Sequence, residues 1–192
     1  MTSRPGPRLL DAAQDLLDFV YGAEEAAQRG RHYHRFLELL DLQHVGTEAE
    51  ISAQAQVFVE AGFLPADCPL AALCTAAYRL FCSPLGARIL ASPQVLRELE
   101  FTYAMPLTAL AELGLSLPPM EGLVLQGQAD LLFWEPAGWV LLDYKSGGSH
   151  KSEEALVARY QKQVAMYRRA LTDIHGFRFQ AAYLYMVDDG RL

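Results

Sequence analysis

Two apolar runs of strand character, Gly122 to Trp134 and Gly138 to Lys145, are joined only by Glu135-Pro136-Ala137-Gly138. A Pro/Gly link that short between such runs predicts a β-hairpin. Upstream, Val95 to Ala104 alternates with a period of two: Leu96, Glu98, Glu100 and Thr102 on one face, Val95, Arg97, Leu99, Phe101 and Tyr103 on the other. Downstream, a helical period runs from about Ser152 to Ile174 and stops at Gly176, and Phe179 to Val187 is again strand-like. Three strands able to pair antiparallel, one long helix and a final strand predict a mixed α/β sheet covered by helices.

The first half of the chain is helical in pattern. Apolar pairs recur every three to four residues from Leu9 to Val20, and Gly22 breaks the run. Gly30 precedes a second run, His32 to Leu42, whose apolar face is Phe36, Leu37, Leu39 and Leu40. A third helix is expected from Glu48 to Glu60, closed by Gly62 and Pro65, and a fourth from about Pro69 to Cys82. Ser83-Pro84 opens a short fifth through Leu90. The chain therefore reads as a single domain over residues 1–192, mainly helical over 1–92 and sheet-based over 93–192.

Composition narrows the class. At 192 residues, 52% hydrophobic and 20% charged, the chain can bury a core without staples and lacks the bias of a disordered segment. No apolar run approaches the ~18 residues of a membrane span, and Met1-Thr2-Ser3-Arg4-Pro5 lacks the apolar block of a secretory signal. A soluble cytoplasmic protein with no membrane partner is the expectation. The cysteines Cys68, Cys74 and Cys82 form no CxxC pair and have no His or Asp nearby at zinc spacing; they read as buried thiols of a core helix. A net charge of −7 argues against a free-standing DNA-coating protein. Between Lys145 and Arg169, however, six basic residues face only Glu153 and Glu154. This strip is either a phosphate-facing surface or a solvated helix face.

The hairpin carries the chemistry. Strand residues two apart share a face, so Asp143 and Lys145 project together, as do Gln128 and Asp130 on the partner strand. An apolar strand that runs into Asp-x-Lys needs explaining, because an unpaired carboxylate beside a core is costly. The two side chains either pair with each other or cap the Ser146-Gly147-Gly148 loop, or they act with Asp130. In that last reading, two carboxylates from adjacent strands hold a hard cation and a lysine stays near the phosphoryl oxygens. The expected ion is Mg2+, with Mn2+ able to substitute.

These residues resemble the RecB-type branch of the PD-(D/E)xK nucleases, most of all the C-terminal nuclease domain of AddA-type helicase-nucleases. Gly30-Arg31-His32-Tyr33-His34 is similar to that family's G-x-x-x-H helix start. Arg97-Glu98-Leu99-Glu100-Phe101 is similar to its R-E-x-P-F strand, with Glu100 where proline is usual. Gly127-Gln128-Ala129-Asp130 resembles G-x-x-D, and Asp143-Tyr144-Lys145-Ser146-Gly147 resembles D-Y-K-T-G with serine for threonine. Tyr160-Gln161-Lys162-Gln163 followed by Tyr167 resembles Y-x-x-Q-x-x-x-Y, and Ser83-Pro84-Leu85-Gly86 resembles a segment these domains carry ahead of the glutamate strand.

The resemblance spans residues 30 to about 185. It implies a restriction-endonuclease-like core and a metal-dependent DNA nuclease, an exonuclease module acting with a helicase on single-stranded or unwound ends. The alternative is an inactive nuclease-like module that binds DNA or a helicase. By the same resemblance His34, Asp130, Asp143 and the Tyr144 carbonyl ligate the metal and Lys145 is the catalytic lysine. Gln163 and Tyr167 line the site, and Glu98 supports it. Read without the family, His34 is an ordinary helix histidine with His32 as its rival, Glu98 a strand-edge charge, and Gln163 and Tyr167 core-edge residues one helical turn apart. Relatives with an iron–sulfur cluster carry cysteines before the histidine helix and near the C-terminus; this chain has none there, so no cluster is expected. It also lacks a G-x-x-x-x-G-K-[ST] phosphate loop.

Overall fold

The computed structural model describes residues 24–114, 123–146 and 152–192. The run predicted from Leu9 to Val20 and the glycines Gly22, Gly122, Gly147 and Gly148 lie outside the described residues.

Four strands form one sheet in the order β1-β2-β3-β4: β1 (Val95–Met105), β2 (Leu123–Glu135), β3 (Gly138–Lys145) and β4 (Phe179–Met186). β1 and β2 run antiparallel from Val95↔Phe133 to Met105↔Leu123. β2 turns through Pro136-Ala137 into β3, with Glu135 opposite Gly138, so the expected hairpin is present. β3 and β4 are parallel, which requires a crossover. That crossover contains the long helix predicted from Ser152 to Ile174, here α6 (Glu153–His175). Ser152 caps its start by accepting from Ala155 N–H at 3.3 Å, and Gly176 ends it at φ 71°, the left-handed conformation that favours glycine.

Helices cover both faces of this mixed sheet. On one side lie α1 (Glu24–Leu39), α2 (Glu48–Glu60), α3 (Leu70–Phe81) and α4 (Pro84–Ala91). Their buried Phe36, Leu40, Ile51, Leu73, Leu80 and Ile89 meet Leu131, Phe133, Val140 and Leu142 of the sheet. On the other side α5 (Leu107–Glu112) and α6 bring Ala109, Leu110, Met166, Ala170 and Leu171 against Phe101, Ala129, Leu132 and Leu141. β3 is buried from Trp139 to Tyr144, which explains why its sequence is a continuous apolar run rather than an alternation.

Local chemistry places most of the element ends. Thr47 and Glu50 form a reciprocal capping box at the start of α2, and Ser83 caps α4 with Pro84 in its first turn. Arg88 of α4 grips Glu135 at the hairpin turn with two contacts, 2.8 and 2.9 Å, and its guanidinium lies over Phe133 and Tyr183.

Several expectations are corrected. α1 runs through Gly30 instead of starting after it: an interior glycine costs only about 1 kcal/mol, and Tyr33, Phe36 and Leu37 anchor the helix in the core. The six-residue α5, opened by Pro106, was not legible as a separate element. Cys68 precedes α3 and is buried with Cys74, whereas Cys82 sits exposed beyond the end of that helix. Leu96 does not share a face with Glu98, because β1 changes phase between them.

Candidate active site

Glu98 has φ 50°, the one positive value outside glycine among the described residues. A bulky residue rarely adopts this conformation. Here it resets the alternation of β1. Leu96 and Leu99 both pack on the α6 side. Arg97 and Glu98, consecutive residues, both reach toward α1: Arg97 to the carbonyls of Leu37 and Leu40, Glu98 to His34. β2 makes the matching change. The paired positions Arg97↔Leu131 and Leu99↔Ala129 bracket Glu98 and Asp130, so these two stand opposite each other. Ala129 packs on the α6 side, while Asp130 and Leu131 both turn toward α1.

The result is a buried three-residue cluster. His34 Nδ1 lies 3.4 Å from Glu98 Oε1 and 3.2 Å from Asp130 Oδ1, with Glu98 and Asp130 only 7% and 6% exposed. One ligand atom from each of the three residues falls within 4.8 Å of the others, as shared coordination of one cation requires. The second oxygen of Asp130 accepts from Tyr144 N–H at 2.6 Å, which ties the cluster to β3. The side chain of Tyr144 turns the other way, into the α1–α4 core, its ring edge-on to His34.

Asp143 and Lys145 lie on the α6 side of β3, in phase with Trp139 and Leu141. Lys145 Nζ is 2.5 Å from Asp143 Oδ2 and 5.0 Å from the centre of the Tyr160 ring on α6. Asp143 thus stands outside the three-residue cluster, yet near enough for Asp130 to act on its charge. Gln163 and Tyr167 follow along α6. Gln163 hydrogen-bonds Tyr167, whose ring meets Phe101 edge-on. Of the basic strip, Arg159, Lys162 and Arg168 are exposed, whereas Arg169 is held by Glu112 and Asp173. Lys151 lies outside the described residues.

Burial sets the electrostatics. It alone would lower the His34 pKa, but Asp130 and then Glu98 outweigh it and push the imidazole up to about 10. Burial raises the Glu98 carboxyl in spite of His34. Asp143 rises to about 6, driven by burial and by Asp130 against the opposing pull of Lys145. Burial works against the Lys145 ammonium, yet Asp143 and Asp130 hold its pKa above the usual lysine value. Glu98 Oε1 and Asp143 Oδ2 are fully buried without an aligned hydrogen bond, so the Lys145–Asp143 contact is a charge contact only.

A family model for the PD-(D/E)XK nuclease superfamily matches residues 11–191. The chain belongs to this superfamily. The α/β sheet with helices on both faces is the fold expected of a PD-(D/E)XK member. Relatives include the larger, A-type polypeptide of the ATP-dependent helicase/nuclease of Syntrophomonas wolfei subsp. wolfei, 34% identical over 86% of this chain and 13% of that protein. Its counterpart in Moorella thermoacetica is 34% identical over 97% of this chain and 13% of its own length. That of Alkaliphilus oremlandii is 34% identical over 85% and 14%. The chain therefore spans about one seventh of the relatives it matches.

The donor set suits a divalent cation. With His34 neutral, three buried carboxylates face a single ammonium, leaving two negative charges without a partner. Without a cation, His34 supplies part of that counter-charge by holding its proton. Buried carboxylate oxygens that lack hydrogen bonds are costly unless a cation meets them. Among the described residues no single helix is long and apolar enough to cross a membrane, and the bent pair α3–α4 buries its apolar residues in the core.

Sequence reasoning did not single out two residues at this site. Arg97 and Tyr160 are visible in the motifs, but no pattern shows that one reaches the end of α1 and the other lies under Lys145.

Proposed function

We propose that this chain is a deoxyribonuclease domain that hydrolyses phosphodiester bonds with Mg2+, Mn2+ substituting. The whole sequence would form one nuclease unit. The observation that carries this reading is the buried meeting of Glu98, Asp130 and Asp143 with His34 and Lys145 around carboxylate oxygens that lack hydrogen bonds. A structural ion pair needs two charges; five at one place, mostly buried, serve a reaction or a ligand.

His34, Asp130 and Asp143 would hold the cation with the Tyr144 carbonyl, and Glu98, 3.4 Å from His34, is placed to join or orient them. When bound, a cation there supplies a water of lowered pKa and neutralises charge on the scissile phosphate. Lys145 puts a buried positive charge beside that phosphate, where the low dielectric strengthens its hold on the phosphoryl oxygens. Gln163 and Tyr167 lie on the α6 wall and are positioned to contact the strand being cut. The exposed Arg159, Lys162 and Arg168 add positive charge along that helix.

By analogy with the helicase/nuclease proteins it matches, the domain works inside the cell with a helicase, as an exonuclease on single-stranded or unwound DNA ends. A net charge of −7 is consistent with DNA delivered by a partner rather than gathered by the domain alone.

The test is a cleavage assay on end-labelled single-stranded DNA with Mg2+, with Mn2+ and with chelator. Cutting should need the metal, and Lys145→Ala or Asp130→Ala should lower it at least about a thousandfold while circular dichroism stays that of the parent. Full activity in either variant would refute these roles. Binding without cutting under every metal condition would point to a DNA-binding module.

A further inference from the structure

We propose that Arg97 is a positioning residue for the metal cluster: it fixes the end of α1 so that His34, one turn earlier, stays on Glu98 and Asp130. The proposal rests on the cluster being a cation site. Arg97 Nη1 donates to Leu37 O at 3.1 Å and to Leu40 O at 2.5 Å. These carbonyls belong to the last turn of a helix, where acceptors have no partner within the helix and the dipole favours a cation. α1 has no basic residue of its own in that turn. β1 supplies one.

The left-handed backbone at Glu98 makes this possible. In a regular strand, Arg97 and Glu98 would point to opposite faces, and one of them would leave α1. With φ 50° at Glu98 both reach the same helix, Arg97 at its C-terminal carbonyls and Glu98 at His34. α1 is thus held at two places one turn apart, and β1 sets the distance between them. A helix held only at His34 is free to pivot about that contact, moving Nδ1 relative to the two carboxylates. Strain at a single backbone position thereby fixes ligand geometry.

The experiment reads Mn2+ binding directly, by calorimetry or electron paramagnetic resonance, beside cleavage. Arg97→Met keeps the apolar stem and removes both hydrogen bonds. It should weaken Mn2+ binding about tenfold, the loss typical for an outer-shell partner, with cleavage at saturating Mn2+ within about twofold of the parent. In a His34→Ala background the same substitution should no longer change Mn2+ affinity, since the effect travels through His34. Arg97→Lys, whose ammonium ends one bond short of Nη1, should fall between parent and Arg97→Met and carries the comparison if the methionine variant does not fold.

Lower thermal stability with unchanged Mn2+ affinity would reduce Arg97 to a helix cap and overturn the proposal. An equal loss of affinity with and without His34 would also overturn it. A parent protein that bound Mn2+ but did not cut DNA would refute the nuclease reading alone, because the Arg97 comparison is made on binding.

Discussion

Tyr160 places one ring beside two cations. Lys145 Nζ lies 5.0 Å from its centre and the Arg159 guanidinium carbon 5.4 Å. Lys145 otherwise touches Asp143, which a cation would compete for, so the ring is what keeps the ammonium in place when the carboxylate is engaged elsewhere. A cation–π contact at a partly buried site is worth about 1 kcal/mol. Tyr160→Leu should therefore lower kcat about fivefold, whereas Tyr160→Phe, which retains the π face, should stay close to the parent. Steady-state cleavage at saturating metal decides it; equal losses in both variants would assign the effect to the hydroxyl. At this scale the sequence showed residue types and spacing. It displayed His34, Asp130, Asp143 and Lys145 as a series, because helix starts and strand ends leave local patterns. It did not show the positive φ of Glu98, since nothing in Arg-Glu-Leu-Glu marks a residue forced into a conformation that glycine would adopt freely.

Among the elements, the corner between α3 and α4 is the tightest. A Cβ added at Gly86 would stand 2.2 Å from Leu80 O and 2.5 Å from Phe81 Cα, both backbone atoms that cannot rotate away. Gly86→Ala should destabilise the protein by at least about 2 kcal/mol through overpacking, read as a lower urea midpoint with an unchanged slope. An unchanged midpoint would mean that the corner opens at no cost. This corner matters to the site indirectly: α4 presents Arg88 to Glu135 and so braces the turn from which β3 runs to Asp143. The strands, the long helix and its caps were readable because each has its own period and its own stop signal. α5 was not, because six residues after a proline make less than two turns.

For the whole molecule, the outcome is a set of like charges held together by the fold. Removing Mg2+ or Mn2+ leaves that repulsion opposed by the proton on His34 and by Lys145. Adding the ion to about a hundred times its Kd should stabilise the folded state by about 2.7 kcal/mol. For a chain of this size that is a rise of roughly 5–10 °C in Tm. Calorimetry with and without chelator measures it, and Asp130→Asn should abolish the rise. A melting curve indifferent to divalent ions would count against a cation site. The match to about one seventh of the helicase/nuclease proteins bears on partners at the same scale. A domain with net charge −7 attracts DNA weakly as a whole, so the exposed Arg159, Lys162 and Arg168 along α6 act locally.

Taken alone, the sequence determined the mixed sheet, the hairpin, the crossover helix and the motif series, because period, turn chemistry and caps are local properties of a chain. It also placed Asp143 and Lys145 on one side of β3, since alternation along a regular strand needs only counting. Which residues meet was decided by tertiary structure. Counting fails where β1 and β2 change phase together, and that phase change brings Glu98 and Asp130 onto His34 and Arg97 onto the end of α1. The reason is physical: a backbone torsion of this kind is unfavourable in isolation and persists only where packing on both faces of the sheet leaves no alternative.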